Sequence, residues 1–508
     1  MKSLKTFLIW GIVVLVGLAS FTTLAVSRGE QVSAVWMVTA AVSVYCIAYR
    51  FYSLYIAKYV MQLDPNRLTP AERHNDGLDY VPTHKGVLFG HHFAAIAGAG
   101  PLVGPVLAAQ MGYLPGTLWI IFGVVFAGAV QDMMVLFVSM RRDGKSLGDI
   151  VKQELGTVPG VIASIGILMI MVIIMAVLAL IVVKALVHSP WGTFTIAATM
   201  PIALFMGIYT RYIRPGKIGE ISIVGFILLM LAVIYGDNVA HSSIGHWFDL
   251  DGIQLTWAIM IYGFVASVLP VWLLLTPRDY LSTFLKIGTI VALAIGILIV
   301  SPALQMPAVT HFIDGSGPVF SGALFPFLFI TIACGAVSGF HALISSGTTP
   351  KMLENETHVR MIGYGGMLME SFVAIMALAA AASLDPGVYF AMNSPAALIG
   401  TDANTAAEVI TTKLQFPVDA ATLLHTAKEV GENTILSRAG GAPTLAVGMA
   451  HIMSRLIPGE AMMAFWYHFA LLFEALFILT AVDAGTRVAR FMIQDLGSIF
   501  YKPFGNTD

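Results

Sequence analysis

Apolar stretches about 20 residues long alternate with short polar loops along most of the chain, the pattern of helices that cross a bilayer. About twelve such spans are predicted, near 6–26, 33–57, 86–110, 115–140, 158–186, 192–212, 218–235, 255–276, 281–301, 325–347, 360–383 and 462–484. A further apolar segment, 441–457, is short and holds His451 and Arg455. Counted as a span it would carry Arg487 and Arg490 to the outer side, so it reads as a re-entrant or interfacial helix. The first apolar run, which follows Lys2 and Lys5 and ends at Val26, is too long for a signal-peptide core and lacks an A-x-A site, so it reads as an uncleaved span. With the N-terminus in the cytoplasm, only Arg28, Lys184, Lys413, Lys428, Arg438 and Arg455 of the 27 basic residues fall outside. Residues 383–440 form the one sizeable polar insertion, on the outer side. Within it Asp419–Val430 reads as an amphipathic helix capped by Asp419, with Ala420, Leu423, Leu424, Ala427 and Val430 near one face and Gly431 as its stop. It is either a lid or a surface helix.

One span is built unlike the others. Gly86 to Gly112 carries His91, His92, Gly98, Gly100, Pro101, Gly104 and Pro105 inside an apolar run. Proline removes a helix hydrogen bond and glycine weakens the helix. Within lipid, freed backbone groups survive only where protein or a wet cavity satisfies them. Secondary transporters use such breaks to hold ions and anionic substrates. Gly98–Pro105 therefore reads as one wall of a transport site, with a merely kinked, closely packed helix as the competing reading.

Composition agrees with the spans. Of 508 residues, 57% are hydrophobic and 11% charged, against about 25% charged in soluble domains. The net charge of −2 offers no nucleic-acid surface. Cys46 and Cys334 show neither a disulfide framework nor zinc-ligand spacing. No H-E-x-x-H, G-x-S-x-G or Walker loop occurs, which argues against an enzyme. His91 and His92 point about 100° apart on a helix and would not readily share a metal.

Two internal matches suggest inverted symmetry. His92-x5-Gly98-x2-Pro101 recurs as His341-x5-Gly347-x2-Pro350 in the tenth span. The third and eighth spans, five apart and antiparallel, make the better-founded pair: the eighth has Pro270 at its middle and ends T-P-R-D-Y at Tyr280. Those two are expected to be the discontinuous helices, with Asp279 nearby and the tenth span supplying Ser338, His341, Ser345, Ser346 and Thr348. Ionisable residues inside spans are costly and by default functional. Here they are His91, His92, Asp132, His341, Glu370 and, ranked lower, His468, Glu474 and Asp483. Buried carboxylates and histidines can take up and release protons, so Asp132, His341 and Glu370 are the candidates for ion coupling.

G-H-H-F-A-A-I-A-G-A-G-P-L-V-G-P (90–105), Q-D-M-M-V-L-F (131–137), L-L-L-T-P-R-D-Y-L (273–281), G-A-V-S-G-F-H-A-L-I-S-S-G-T-T-P-K (335–351) and A-V-D-A-G-T-R (481–487) resemble the carbon starvation protein A family over nearly the whole chain. The resemblance implies a bacterial inner-membrane transporter of pyruvate or short peptides in the starvation response. It also implies an all-α fold with a five-plus-five inverted repeat related to the amino acid–polyamine–organocation superfamily. On that plan 6–57 hold two peripheral helices, 86–235 the first repeat, 255–383 the second, 384–440 an outer loop, and 441–508 a re-entrant segment, last helix and cytoplasmic tail. The expected partners are the lipid bilayer and a small-molecule substrate. No cofactor is expected beyond a coupling ion, proton or sodium. Pyruvate or peptide, the identity of that ion and the oligomeric state stay open, as does a metabolite sensor or channel that does not pump. Many members continue with further membrane helices, whereas this chain ends at Asp508. The expectation is a short branch of the family or a truncated or split reading frame.

Overall fold

The computed structural model describes residues 2–26, 32–459 and 461–501; Arg28 and Lys502–Phe504 lie outside them. Among the described residues eight helices are long and apolar enough to cross a membrane: Val35–Val60, Tyr113–Arg141, Thr157–Leu186, Pro190–Ile213, Ile218–Gly236, Leu275–Val300, Glu356–Ala382 and Met462–Ser498. Lys85–Ile96 and Gly100–Met111 together make one more, bent by 46°. Lys2–Val26 and the shorter Gly252–Val268 complete the straight helices that match predicted spans.

Burial separates scaffold from core. Only 17% of the apolar window in Thr157–Leu186 is buried, against 83% in Glu356–Ala382. Lipid tails solvate leucine as well as protein does, so the first helix can face the bilayer. The second ends in a run of alanines, Ala379 to Ala382, all fully buried, whose small side chains let neighbouring backbones come close.

The ends of the helices gather on two faces. On one, Val81 N–H donates to the Lys351 carbonyl (3.2 Å) and Thr83 N–H to that of Met352 (3.0 Å). Arg67 and Arg141 of this face hold the buried Glu356 at 3.2 and 2.5 Å. On the other, Tyr113 N–H meets the Pro307 carbonyl (3.2 Å), Gln305 N–H that of Ala382 (2.8 Å) and His188 N–H that of Leu250 (3.2 Å).

Three expectations are corrected here. Pro270 is not at the middle of a span. The helix Gly252–Val268 stops before it, because the residue preceding a proline is driven out of the helical region: Leu269 has φ −63° and ψ 151°. Pro270 lies in the turn to the next helix, tied down where Val271 N–H donates to the Leu78 carbonyl (2.9 Å) and Trp272 Nε1–H to that of Gly77 (3.0 Å). The tenth stretch, 325–347, is the one that breaks. Short helical pieces reach Ala336, Val337 and Ser338 are extended, and helix resumes at Gly339–Ser345. In the outer loop, the helix Ala420–Glu429 forms with Asp419 accepting from Thr422 N–H (2.7 Å). Its apolar face is narrower than predicted, since Leu424 points outward at 58% exposure while Leu423 and Val430 are buried.

Residues 442–456 form a 15-residue helix. Gly441, before it, lies beside Val103, and Ile452 lies beside Gly296. The helix therefore packs against Gly100–Ala108 and Leu275–Val300.

Candidate functional site

The two broken stretches lie against each other. The first leaves helix at Ala97 (φ −78°, ψ 85°) and restarts at Gly100, with Pro101 in the opening turn, where its missing N–H costs nothing. A Cβ on Gly100 would overlap the Cys334 side chain, and one on Gly104 would strike the Thr331 carbonyl oxygen. These glycines let the second stretch pack on the first. Gly98 faces Ala481, where an added Cβ would be 3.1 Å from the alanine methyl.

Each break leaves carbonyls without helical partners, and side chains meet them. At the first, Lys286 Nζ donates to the carbonyls of Ala94 (3.0 Å) and Ala97 (3.1 Å), and also to Phe477 O (3.0 Å) and Thr480 Oγ1 (2.6 Å). Lys286 is fully buried, and among the described residues it makes no ion pair. At the second break Gln131 Nε2 donates to the Ser338 carbonyl at 2.5 Å. One break is thus met by a lysine nitrogen and the other by a side-chain amide.

The predicted ionisable residues form two fully buried groups. His341 Nδ1 is 2.9 Å from Asp132 Oδ2, and its Nε2 is 2.8 Å from Glu370 Oε2. Asp132 Oδ1 has no hydrogen-bond partner. Beside them Cys334 Sγ lies 3.3 Å from Glu370 Oε1. In the other group His91 Nδ1 is 2.8 Å from Asp279 Oδ2, and its Nε2 is 3.3 Å from Thr348 Oγ1. His92 Nδ1 reaches Thr349 Oγ1 at 2.8 Å, while its Nε2 is buried without a partner. All these histidines and carboxylates are shielded from water. The breaks thus adjoin two imidazole–carboxylate groups whose protons can be rearranged but not readily exchanged with solvent in this conformation.

Not every candidate belongs here. Pro270 sits in its turn. The Ser346 hydroxyl folds back onto the Ala342 carbonyl of its own helix (2.7 Å). Ser345 Oγ is buried without a partner. Asp483 is bound to Arg278 and accepts from the Tyr262 hydroxyl (2.8 Å). Gly347 and Pro350 follow the helix Gly339–Ser345 rather than breaking it, and His92 precedes its break while His341 follows its own, so the H-x5-G-x2-P match marks no equivalent positions. Sequence reading missed Lys286, Gln131 and Cys334. A ninth span starting at 281 puts Lys286 at its cytoplasmic end; the helix begins at Leu275 and places the lysine well inside. A cavity of about 370 Å³ opens beside the inner half of the first broken stretch, lined by Thr83, His84, Val87, Arg211, Trp272 and Tyr280 among others.

A helical bundle with crossed, interrupted spans and ionisable groups sealed around the breaks defines a multi-pass membrane protein of the transporter class. Residues 33–508 match the family model described as Carbon starvation protein CstA, and the chain belongs to this family. It is 66% identical over 507 residues to the peptide transporter CstA of Escherichia coli (strain K12), covering 99% of this chain and 72% of that protein. To the pyruvate/proton symporter BtsT of the same organism it is 59% identical over 521 residues, covering 98% and 73%. To the peptide transporter CstA of Bacillus subtilis (strain 168) it is 46% identical, covering 94% and 77%. No solved structure matches the chain.

Proposed function

We propose that this chain is a secondary transporter of the bacterial inner membrane. It brings a small carboxylate such as pyruvate, or a short peptide, into the cell together with protons when carbon is scarce. The observation that carries the reading is His341, held between Asp132 and Glu370 at 2.9 and 2.8 Å with every group fully buried beside the second break. One ring between two acids is a place where a proton can be gained or lost with a local change of shape. His91, His92, Asp279, Thr348 and the turn from Gly98 to Gly104 would line the path of the substrate, with backbone N–H groups of the second half-helix meeting its carboxylate.

Lys286 favours protons over sodium. Its ammonium already fills the set of oxygens at the first break that a free sodium ion would use, so the chain brings its own cation. For the fold, we infer an inverted repeat whose counterparts are the two broken stretches. They are seven helices apart in chain order, so two intervening helices fall outside a five-plus-five plan. Counterparts placed this way do not keep the divisions 86–235 and 255–383, since the first break opens its division and the second follows two helices of its own; the N-terminus is cytoplasmic in this reading.

The test is uptake of labelled pyruvate and of a labelled dipeptide into vesicles under an imposed pH gradient. One substrate should accumulate, an uncoupler should abolish the accumulation, and sodium should make no difference. Accumulation that survives the uncoupler removes proton coupling. Equilibration without accumulation supports the channel or sensor reading instead.

A further inference from the structure

Cys334 stands against the His341 group in a position that proton movement does not require. Its Sγ is 3.3 Å from Glu370 Oε1 and 3.8 Å from His341 Nε2, and Nε2 is 2.8 Å from Glu370 Oε2. A thiol, an imidazole nitrogen and a carboxylate thus face one point. Those donors are the ligands of zinc and related borderline cations. Metal–ligand bonds of about 2.0–2.3 Å place tetrahedral edges near 3.3–3.6 Å. The Cys334–His341 edge, 3.8 Å, already matches within a few tenths of an ångström. Glu370 turns Oε1 to the sulfur at 3.3 Å and Oε2 to the ring at 2.8 Å, so a small rotation of the carboxylate brings one oxygen onto the metal.

The far side of the ring supports the same assignment. Asp132 Oδ2 holds His341 Nδ1 at 2.9 Å. A carboxylate on one ring nitrogen fixes the tautomer and presents the lone pair of the other, the arrangement found behind metal-bound histidines. With Nδ1 donating to Asp132, Nε2 carries a lone pair and lies 2.8 Å from Glu370 Oε2, an oxygen buried without a hydrogen-bond partner. Two acceptors that close require something positive between them, a proton or a metal. The ligands are also brought together by the fold rather than by surface chance: Cys334 fits only because residue 100 is glycine.

We propose that Cys334, His341 and Glu370 form a seat for a zinc-class divalent cation, backed by Asp132. On binding, bonds form from the metal to Sγ, Nε2 and a Glu370 oxygen. The thiol proton and any proton shared by His341 and Glu370 leave for water, and no electron moves. A metal held there ties the broken stretch at Cys334 and His341 to the helix of Glu370, so the ends at the break can no longer shift and zinc inhibits uptake. That last effect rests on the transport reading; binding does not.

The experiment uses the purified full chain, dialysed against a chelator and then equilibrated with zinc chloride. Bound metal is counted by mass spectrometry, and vesicle uptake is measured with chelator and with added zinc. The wild type should hold about one zinc per chain, and Cys334→Ser should weaken binding at least about 10-fold, as should Asp132→Asn. Cys334→Ser, or Cys334→Ala if the serine variant is poorly made, should resist zinc: whatever its rate in chelator, added zinc should leave that rate unchanged, while wild type is inhibited. Zinc binding that is absent from the wild type, or equal in wild type and Cys334→Ser, overturns the proposal. A chain that transports normally but ignores zinc sinks this inference alone, whereas one that binds zinc without transporting sinks only the transport reading.

Discussion

Arg278 and Asp483 are paired with each other, and their surroundings add to the pair: Thr199 Oγ1 accepts from Arg278 Nε at 3.2 Å, the Tyr262 ring lies 4.7 Å under the guanidinium, and the Tyr262 hydroxyl donates to Asp483, although Arg278 Nη2 and Asp483 Oδ1 have no hydrogen-bond partner. His341 has two carboxylates and no second cation in contact. Both groups are fully buried. Burial of charge alone therefore does not separate working residues from structural ones. The first group balances one positive against one negative charge and gains nothing by moving a proton. The second stays acid-rich even with its ring charged, and it adjoins an interrupted helix whose ends can shift.

The largest effect expected from this contrast is on transport. Glu370→Gln keeps the shape and removes the acid. Accumulation driven by a pH gradient should vanish while exchange of labelled for unlabelled substrate persists. Undiminished accumulation would clear Glu370 of the coupling role and leave the two groups equivalent. Arg278→Met should act on the fold instead. Removing one partner of a buried pair costs about 3–5 kcal/mol, because the other charge is left unpaired. The variant should melt well below wild type in detergent, and Arg278→Met with Asp483→Leu should recover most of the loss. If the double variant melts no higher than the single one, the pair is not the self-contained unit described here.

The same contrast shows where sequence reading reached and where it stopped. Runs of apolar residues located the spans, and the rarity of ionisable residues in lipid picked out Asp132, His341 and Glu370 before their contacts were known. The first break was legible because Gly98, Gly100 and Pro101 cluster within one turn. The second was not, because Val337 and Ser338 carry no proline and are held extended by packing and by the Gln131 amide. Pro270 drew attention to the wrong helix, since a proline ends a helix as readily as it interrupts one. Lys286 was hidden by a boundary error of six residues, the distance from Leu275 to the predicted start at 281. Pairings such as His341 with Asp132, 209 positions apart in the chain, belong to tertiary structure and leave no local signal.

Ser346 offers the finest division between a residue near the site and a residue of it. Sequence placed its hydroxyl among the substrate ligands, but in the fold that hydroxyl is spent on the Ala342 carbonyl at 2.7 Å, four residues back. A serine bonded to its own helix in this way stabilises little, because the carbonyl already has a helical donor. Ser346→Ala should therefore leave the substrate concentration for half-maximal uptake within about twofold of wild type, with any stability change inside about 0.5 kcal/mol. Thr348, two residues further on, is the matched control, for its hydroxyl lies 3.3 Å from His91 Nε2 and its loss would leave that ring nitrogen without a partner. A weaker apparent affinity in Thr348→Val and none in Ser346→Ala would confine the working surface to the His91 side of the turn. A large loss in Ser346→Ala would mean that its hydroxyl rotates toward the substrate during transport, and that the resting hydrogen bond is a poor guide to which residues of the second stretch take part.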